Sequence, residues 1–156
     1  MAHKKIAVRP FDGPRDEAWA TDWLDSRLGG RHQARRGEVV DVLEPGLGFV
    51  AERGGAPVGL LTFRVDEDSV ELSALAADPP HNGIGSALLD ALDAVVRLAD
   101  RHWVWVVTTN ANLDALRFYQ RRGFRIGEVR VGAVDRARLS IKPSIAGIGA
   151  YGPPPR

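Results

Sequence analysis

Residues 70–89 read VELSALAADPPHNGIGSALL, and this stretch decides the fold. The run from Val70 to Ala77 is typical of a β-strand, and the segment from Asp78 to Asn82 contains two prolines that end it. A helix is predicted from Gly83 to about Asp100, followed by an apolar strand from Trp103 to Val107 that should be buried on both faces. Such a strand–helix–strand unit is almost always a right-handed crossover, so its two strands should be parallel.

The start of this helix has the chemistry of an anion site. The first amides of a helix lack internal partners, and glycines let the backbone approach a phosphate closely. The N–H groups of Gly83, Ile84, Gly85 and Ser86 could therefore hold a pyrophosphate, although a plain tight turn would show the same pattern. A dinucleotide-binding fingerprint is excluded because Leu88 stands where it needs Gly or Ala. A Walker phosphate loop is excluded because its Gly-Lys-Ser/Thr is absent.

The remaining segments predict a mixed α/β sheet in the order β-α-β-β-β-α-β-α-β. An amphipathic helix is expected from Pro14 to the glycine pair at 29–30, and residues 31–46 are assigned mostly to loop. The short turns at 54–55 and 66–68 predict antiparallel hairpins. The predicted strands outside the crossover are Ile6–Arg9, Leu47–Arg53, Val58–Val65 and Phe124–Val131, with Ala137–Ile141 as a further candidate. The predicted buried stripe of the crossover helix is Ile84, Ala87, Leu88, Ala91, Leu92, Val95 and Leu98.

Composition limits the class of protein. The chain has 156 residues, a net charge of +1 and no cysteine, which excludes disulfides and a thiol nucleophile and argues against a nucleic-acid binder. Because no apolar run is long enough for a signal peptide or a membrane span, we expect a cytoplasmic protein without a membrane partner. We expect one domain over residues 1–146 and a Gly- and Pro-rich tail over 147–156.

A second informative segment, residues 108–124, reads TTNANLDALRFYQRRGF. Asn112 caps a helix that ends at Gly123, and Tyr119 follows Asn112 by seven residues, about two helical turns, so both lie on one side of it. Taken alone, these residues could be only a cap and a core aromatic. Together with the glycine segment, however, they resemble the two signatures of the GNAT acetyltransferase superfamily. The resemblance implies a mixed, mostly antiparallel sheet of six to seven strands flanked by helices.

The resemblance also implies a cosubstrate, acetyl-coenzyme A, and no metal. The pantetheine arm would contact β-strand backbone and Asn112, and the pyrophosphate would contact the glycine segment. Arg117, Arg121 or Arg122 would meet the 3′-phosphate, unless these arginines only form a solvated helix face. The residues implied to bind the cosubstrate are Leu75, Ala76, Ala77, Asn82, Gly83, Ile84, Gly85, Ser86, Asn112 and Arg121. One departure is that Pro80 stands where the family usually has Gln or Arg, in a loop about two residues shorter than usual.

The implied reaction is acetyl transfer to a primary amine on a small molecule or a protein. Tyr119 is the predicted proton donor to the leaving thiolate. Glu71 is the predicted base, and strand alternation places its side chain on the same face as those of Leu75 and Ala77. The alternative is that the Glu71 side chain only faces solvent. Asp41 and Glu38 are weaker candidates for the base. The alternatives are a catalytically silent acyl-CoA sensor and an interaction domain, and a homodimer is compatible with the family.

Overall fold

The computed structural model describes residues 4–140, which fall into two compact units. Among the described residues, the first unit comprises 4–31 and 41–106, and the second comprises 32–40 and 107–140. The predicted tail at 147–156 lies outside the described residues, and the single domain over 1–146 stays a prediction. In chain order the elements are β1 (Ile6–Pro10), α1 (Gly13–Arg27), β2 (His32–Arg35), β3 (Glu38–Asp41), β4 (Gly48–Arg53), β5 (Ala56–Val65), β6 (Ser69–Ala77), α2 (Ile84–Leu98), β7 (Trp103–Val106), α3 (Leu113–Arg121) and α4 (Ala133–Ser140).

The first unit is built on a five-stranded sheet in the order β1-β4-β5-β6-β7. The first three pairings are antiparallel, and β6 and β7, which α2 connects, are parallel. The predicted mixed, mostly antiparallel sheet and its crossover strands are therefore confirmed. The main sheet has five strands among the described residues rather than six or seven, because residues 124–131 are irregular and residues 137–140 are helical.

Helices α1 and α2 pack on opposite faces of the five-stranded sheet. A Cβ on Gly59 in β5 would lie 2.5 Å from Cγ2 of Ile84, so α2 approaches this glycine closely. Arg9 of β1 lies in one cross-strand row with Val50 of β4 and Leu60 of β5. Leu60 directly follows Gly59, so this row points to the opposite face of the sheet. There the guanidinium of Arg9 binds Asp16 of α1.

Asp16 fixes α1 on the sheet through a buried network that the sequence did not reveal. Its side chain is fully buried and accepts hydrogen bonds from both Nη atoms of Arg9 at 2.7 and 2.8 Å. It also accepts from the Asp12 N–H at 2.8 Å and from Trp19 Nε1 at 3.0 Å, and Arg9 Nε binds Glu52 at 2.8 Å. The hydrogen bonds from Arg9 outweigh the cost of burial and hold the pKa of Asp16 well below its usual range.

The prediction of loop over residues 31–46 is wrong in part, because this segment contains β2 and β3. The two strands are joined by Arg36 and Gly37, which have φ angles of 51° and 87°. A positive φ at both central residues is what a type I′ hairpin turn requires, and Arg-Gly is not among its common sequences.

The strand predicted over residues 124–131 is also wrong, since this segment is irregular. Charged residues and Gly127 interrupt its apolar positions, and Val129 and Val131 are 72% and 73% exposed. Because β-propensity mainly reflects packing against neighbouring strands, a segment that pairs with no described strand gains little from it. The candidate strand at 137–141 instead begins within α4, and Ile141 lies outside the described residues.

Two predictions of burial in the crossover unit are wrong. The strand β7 is not buried on both faces: Trp103 is 69% exposed, because β7 is the edge strand of the described sheet. Ile84, Leu88 and Leu92 are buried as predicted, but Leu98, the last residue of α2, is 88% exposed.

Candidate active site

The pairing between β6 and β7 ends halfway along β6. The strand β7 pairs with Ser69–Leu72, whereas β6 continues to Ala77. The Asp78 N–H donates to a β5 carbonyl, with N and O 2.9 Å apart. Backbone polar groups point to alternate edges of a strand, so those of Ala76 also face β5. The N–H and C=O groups of Leu75 and Ala77 therefore face the other edge of β6. Among residues 4–140, no strand pairs with that edge beyond Leu72. The second half of β6 therefore has a free edge on which an extended ligand could pair.

A β-bulge interrupts β6 before this free edge. Leu72 and Ala74 pair with Phe63 and Thr62, which are adjacent in β5, so Ser73 is the extra residue of the bulge. One extra residue changes which face of the sheet every later side chain points to.

The bulge corrects the predicted face of Glu71. Sequence alternation grouped Glu71 with Leu75 and Ala77, but the register places those two residues on the α2 face and Glu71 on the α1 face. There it shares its face with Ala74 and Ala76, and Glu71 is only 7% exposed. The alternative that Glu71 simply faces solvent is therefore excluded by its burial.

Arg64, the cross-strand neighbour of Glu71 on β5, anchors a turn on the same face. Its Nη2 donates to the Asp41 carbonyl at 3.1 Å and its Nε to the Glu44 carbonyl at 3.2 Å. The Asp41 carboxylate is bound by Arg31 at 2.7 Å. Asp41, a weaker candidate for the base, is thus part of an ion pair that holds this turn in place.

A cavity of about 130 Å³ lies between the start of α1 and this turn. It is lined by Phe11, Gly13, Glu17, Arg31, Leu43, Glu44, Pro45 and Gly46. In the second unit, a wide depression of about 460 Å³ is lined by Gln120, Gly123, Phe124, Arg125 and Ile126. Neither includes a residue of the predicted site.

The glycine segment begins α2 as predicted. Gly83 is the N-cap, with a φ of 77°, and no side chain caps the helix. Ala87 is the first residue whose N–H bonds back into the helix, to the Gly83 carbonyl at 3.0 Å. The amides of residues 84–86 therefore have no acceptor within the helix and are available to an anion. Arg27 of α1, which the sequence did not single out, reaches this loop through Asp78.

The second signature forms α3 in the second unit. The Asn112 side chain accepts a hydrogen bond from the Ala115 N–H at 3.2 Å, so Asn112 caps the helix as predicted. At the other end, Gly123 has a φ of 92°, and the Phe124 N–H donates to the Tyr119 carbonyl at 3.0 Å. Arg121 is exposed on the last turn.

Tyr119 is the buried residue of α3. Its ring lies 5.3 Å, between centroids, from those of Phe118 and Phe124. Burial raises the pKa of Tyr119 to about 12, although the charge of Arg35 acts in the opposite direction. The phenol is therefore protonated at neutral pH and can act as a hydrogen-bond donor.

Two classes of feature are not found in residues 4–140. No helix there has the length and apolar composition needed to cross a membrane. No group of three or more His, Asp or Glu side chains in this range is arranged to hold a metal ion.

Comparison with known proteins agrees with this architecture. Residues 5–124 match the acetyltransferase (GNAT) family model. The uncharacterized protein YxbD of Bacillus subtilis is 40% identical over 88 residues, which cover 56% of this chain and 55% of YxbD, so the match spans about half of that relative.

Solved structures of the same fold include two complexes with CoA. Rv2747 from Mycobacterium tuberculosis is 26% identical with a TM-score of 0.61, and the alignment covers 86% of this chain and 82% of Rv2747. The aminoglycoside N-acetyltransferase AAC(6′)-Iy is 16% identical with a TM-score of 0.65, over 83% of this chain and 94% of that one. The family model spans well over half of the sequence, and the chain therefore belongs to the GNAT acetyltransferase family.

Proposed function

We propose that the protein is an N-acetyltransferase that moves the acetyl group of acetyl-CoA to a primary amine by direct attack in a ternary complex. The observation that carries this proposal is the free edge of β6 beyond Leu72, which leads directly into the open amides at the start of α2. The pantetheine arm contains amide groups and would pair with the backbones of Leu75 and Ala77 as an added strand does. The diphosphate would accept from the N–H groups of residues 84–86.

Family membership and the CoA complexes of similar proteins support the cosubstrate. From the family motif we further propose that Asn112 contacts the pantetheine arm and that Arg121 contacts the 3′-phosphate. Asn112 uses its side-chain oxygen in the helix cap, which leaves its amide N–H groups for this contact.

The proposed reaction begins with an uncharged amine. A lysine-like amine has a pKa of about 10 and is mostly protonated at neutral pH, so a base must remove its proton. We assign this role to Glu71, directly or through water. The nitrogen then attacks the thioester carbon, whose oxygen would accept from an N–H on the free edge, such as that of Ala77. The C–S bond breaks, and CoA leaves as a thiolate.

Tyr119 is the proposed donor to this thiolate. A thiol has a pKa of about 8.5, well below the value of about 12 for Tyr119, so complete proton transfer from the phenol would be uphill. Its role is therefore to stabilise the developing negative charge by a hydrogen bond, while solvent supplies the final proton. Holding both substrates in place would provide much of the remaining acceleration.

The acceptor is proposed to bind on the α1 face, where Glu71 lies. The turn held by Arg64 and the nearby cavity, with Glu17 and Glu44 in its lining, are on this side of the sheet. Arg31 also lines this cavity and binds Glu17 at 3.0 Å, so the carboxylate of Glu44 is the lining charge that would suit a substrate with a second positive charge, such as a polyamine or an aminoglycoside.

The test is a free-thiol release assay with acetyl-CoA and a panel of polyamines, aminoglycosides, amino acids and peptides with free amino termini. CoA binding is measured in parallel by calorimetry. We expect micromolar binding and thiol release with at least one amine, which mass spectrometry identifies as acetylated. Binding without release for any amine would favour a silent acyl-CoA sensor, and absence of binding would overturn the proposal altogether.

A further inference from the structure

We propose that Arg27 is a positioning residue for acetyl-CoA, which neutralises Asp78 at the entrance to the diphosphate loop. This inference rests on the proposed function, because it concerns the same cosubstrate. It follows from the charge of the loop, from the contacts of Arg27 and from the way α1 is fixed to the sheet.

The loop itself is poorly suited to an anion. Residues 78–86 read DPPHNGIGS, so Asp78 is their only residue with a full charge at neutral pH, and it is negative. The stretch contains no Lys or Arg, and Pro80 lacks a backbone N–H. A CoA diphosphate bound at the α2 amides would therefore lie near an aspartate of the same sign unless another residue compensates its charge.

Arg27 provides this compensation from an element 51 residues earlier in the chain. Its Nη2 donates to the Asp78 carboxylate at 2.5 Å, and its Nη1 donates to Ser26 Oγ at 2.8 Å. The guanidinium carbon lies 4.0 Å from the centroid of the Trp23 ring, a cation–π contact. Two neighbouring groups of α1 thus orient the arginine, which leaves its charge at the loop.

The ion pair is well placed to influence a ligand. The Arg27 side chain is 31% exposed and that of Asp78 is 53% exposed, so both are accessible to solvent. An exposed pair of this kind contributes little to folding, which makes a role in ligand binding separable from a role in stability. The Arg9–Asp16 network holds α1 on the sheet and so fixes the origin of the Arg27 side chain.

The first experiment compares the Kd of CoA for wild type, Arg27→Gln, Asp78→Asn and the double variant by calorimetry. Loss of the positive charge leaves Asp78 to repel the diphosphate, so Arg27→Gln should raise the Kd roughly five- to tenfold at low salt. The effect should shrink at 0.5 M NaCl, because exposed charges are then screened. Removing both charges should return the Kd to within about twofold of wild type, since Coulomb repulsion requires the carboxylate.

Controls separate this role from a structural one. Arg27→Lys keeps the charge and should bind CoA almost as well as wild type, and Arg130→Gln breaks an exposed ion pair with Glu128 elsewhere and should change nothing. Pantetheine lacks the diphosphate, so Arg27→Gln should not alter its binding. Melting temperatures of all variants should stay close to that of wild type.

Two outcomes would overturn the inference while leaving the proposed function intact. One is an Arg27→Gln protein that binds CoA as tightly as wild type. The other is a double variant as weak as Arg27→Gln alone, which would mean that the arginine does not act through Asp78. Failure of the wild type to bind CoA would instead overturn the proposed function.

Discussion

Replacing Asp16 with Asn tests whether one buried carboxylate fixes α1 on the sheet. The fully buried side chain accepts four hydrogen bonds, two of them from Arg9. Asparagine has nearly the same size but only one acceptor oxygen, so its amide N–H groups would face donors. The substitution therefore removes a charge and hydrogen bonds without creating a cavity.

The structure gives the size of the effect. Breaking a buried ion pair by removing one partner costs about 3–5 kcal/mol. Arg9 remains bound to Glu52 at 2.8 Å and is partly exposed, which favours the lower end, about 3 kcal/mol. For a chain of about 150 residues, each kcal/mol lowers Tm by about 2–4 °C, so the expected loss is about 6–12 °C.

The assay is urea denaturation of wild type and Asp16→Asn, with Asp22→Asn on the exposed side of the same helix as control. The control should change the free energy of unfolding by less than about 0.5 kcal/mol. The pKa of Asp16 is lower in the folded state than its unfolded value of about 3.9. The contribution of Asp16 to the free energy of unfolding is therefore complete above pH 4 and is lost as the pH falls further. The difference in the free energy of unfolding between wild type and Asp16→Asn should therefore become smaller below pH 4. A loss below 1 kcal/mol at pH 7, or a difference that widens in acid, would refute this account.

Three further substitutions test the site and its frame. Tyr119→Phe should bind CoA normally but lower kcat by about tenfold or more in the thiol-release assay, since it loses the donor to the thiolate; unchanged turnover would exclude this role. Glu71→Gln should lower kcat by about a hundredfold and change the pH–rate profile; a normal profile would exclude it as the base. Gly59→Ala should lower the free energy of unfolding by about 1–3 kcal/mol, because its Cβ would meet Cγ2 of Ile84 at 2.5 Å. A Cβ on Gly13 meets nothing within 4 Å, so Gly13→Ala is the control, and equal losses in the two variants would contradict the packing argument.

The sequence predicted the elements whose signals are local. Glycine and proline punctuation located the hairpins, the crossover helix and the end of α3, because these residues act through backbone geometry that needs no distant partner. The cap at Asn112 and the open helix start at Gly83 were predictable for the same reason. The parallel pairing of β6 and β7 followed from the length of their connection.

Features that depend on distant partners were not predictable from the sequence. Asp16 looked like a first-turn acid that favours the helix dipole, and only the folded chain brings Arg9 to it. Nothing in the sequence singled out Arg27, because only the fold brings it to Asp78. The segment 124–131 has the composition of a strand, but a strand needs a neighbour, and composition does not specify one.

The bulge at Ser73 is the feature on which the proposed chemistry depends most. In a regular strand, Glu71 would share its face with Leu75 and Ala77 and would lie beneath α2. The extra residue instead sends the Glu71 carboxylate to the α1 face while the later backbone still offers the N–H of Ala77 along the free edge. A base and a carbonyl-polarising donor must approach the reacting carbon from different directions, one through the amine and the other through the oxygen. In the proposed reaction, this inserted residue lets Glu71 act from the α1 face while the N–H of Ala77 lies along the free edge of the same strand.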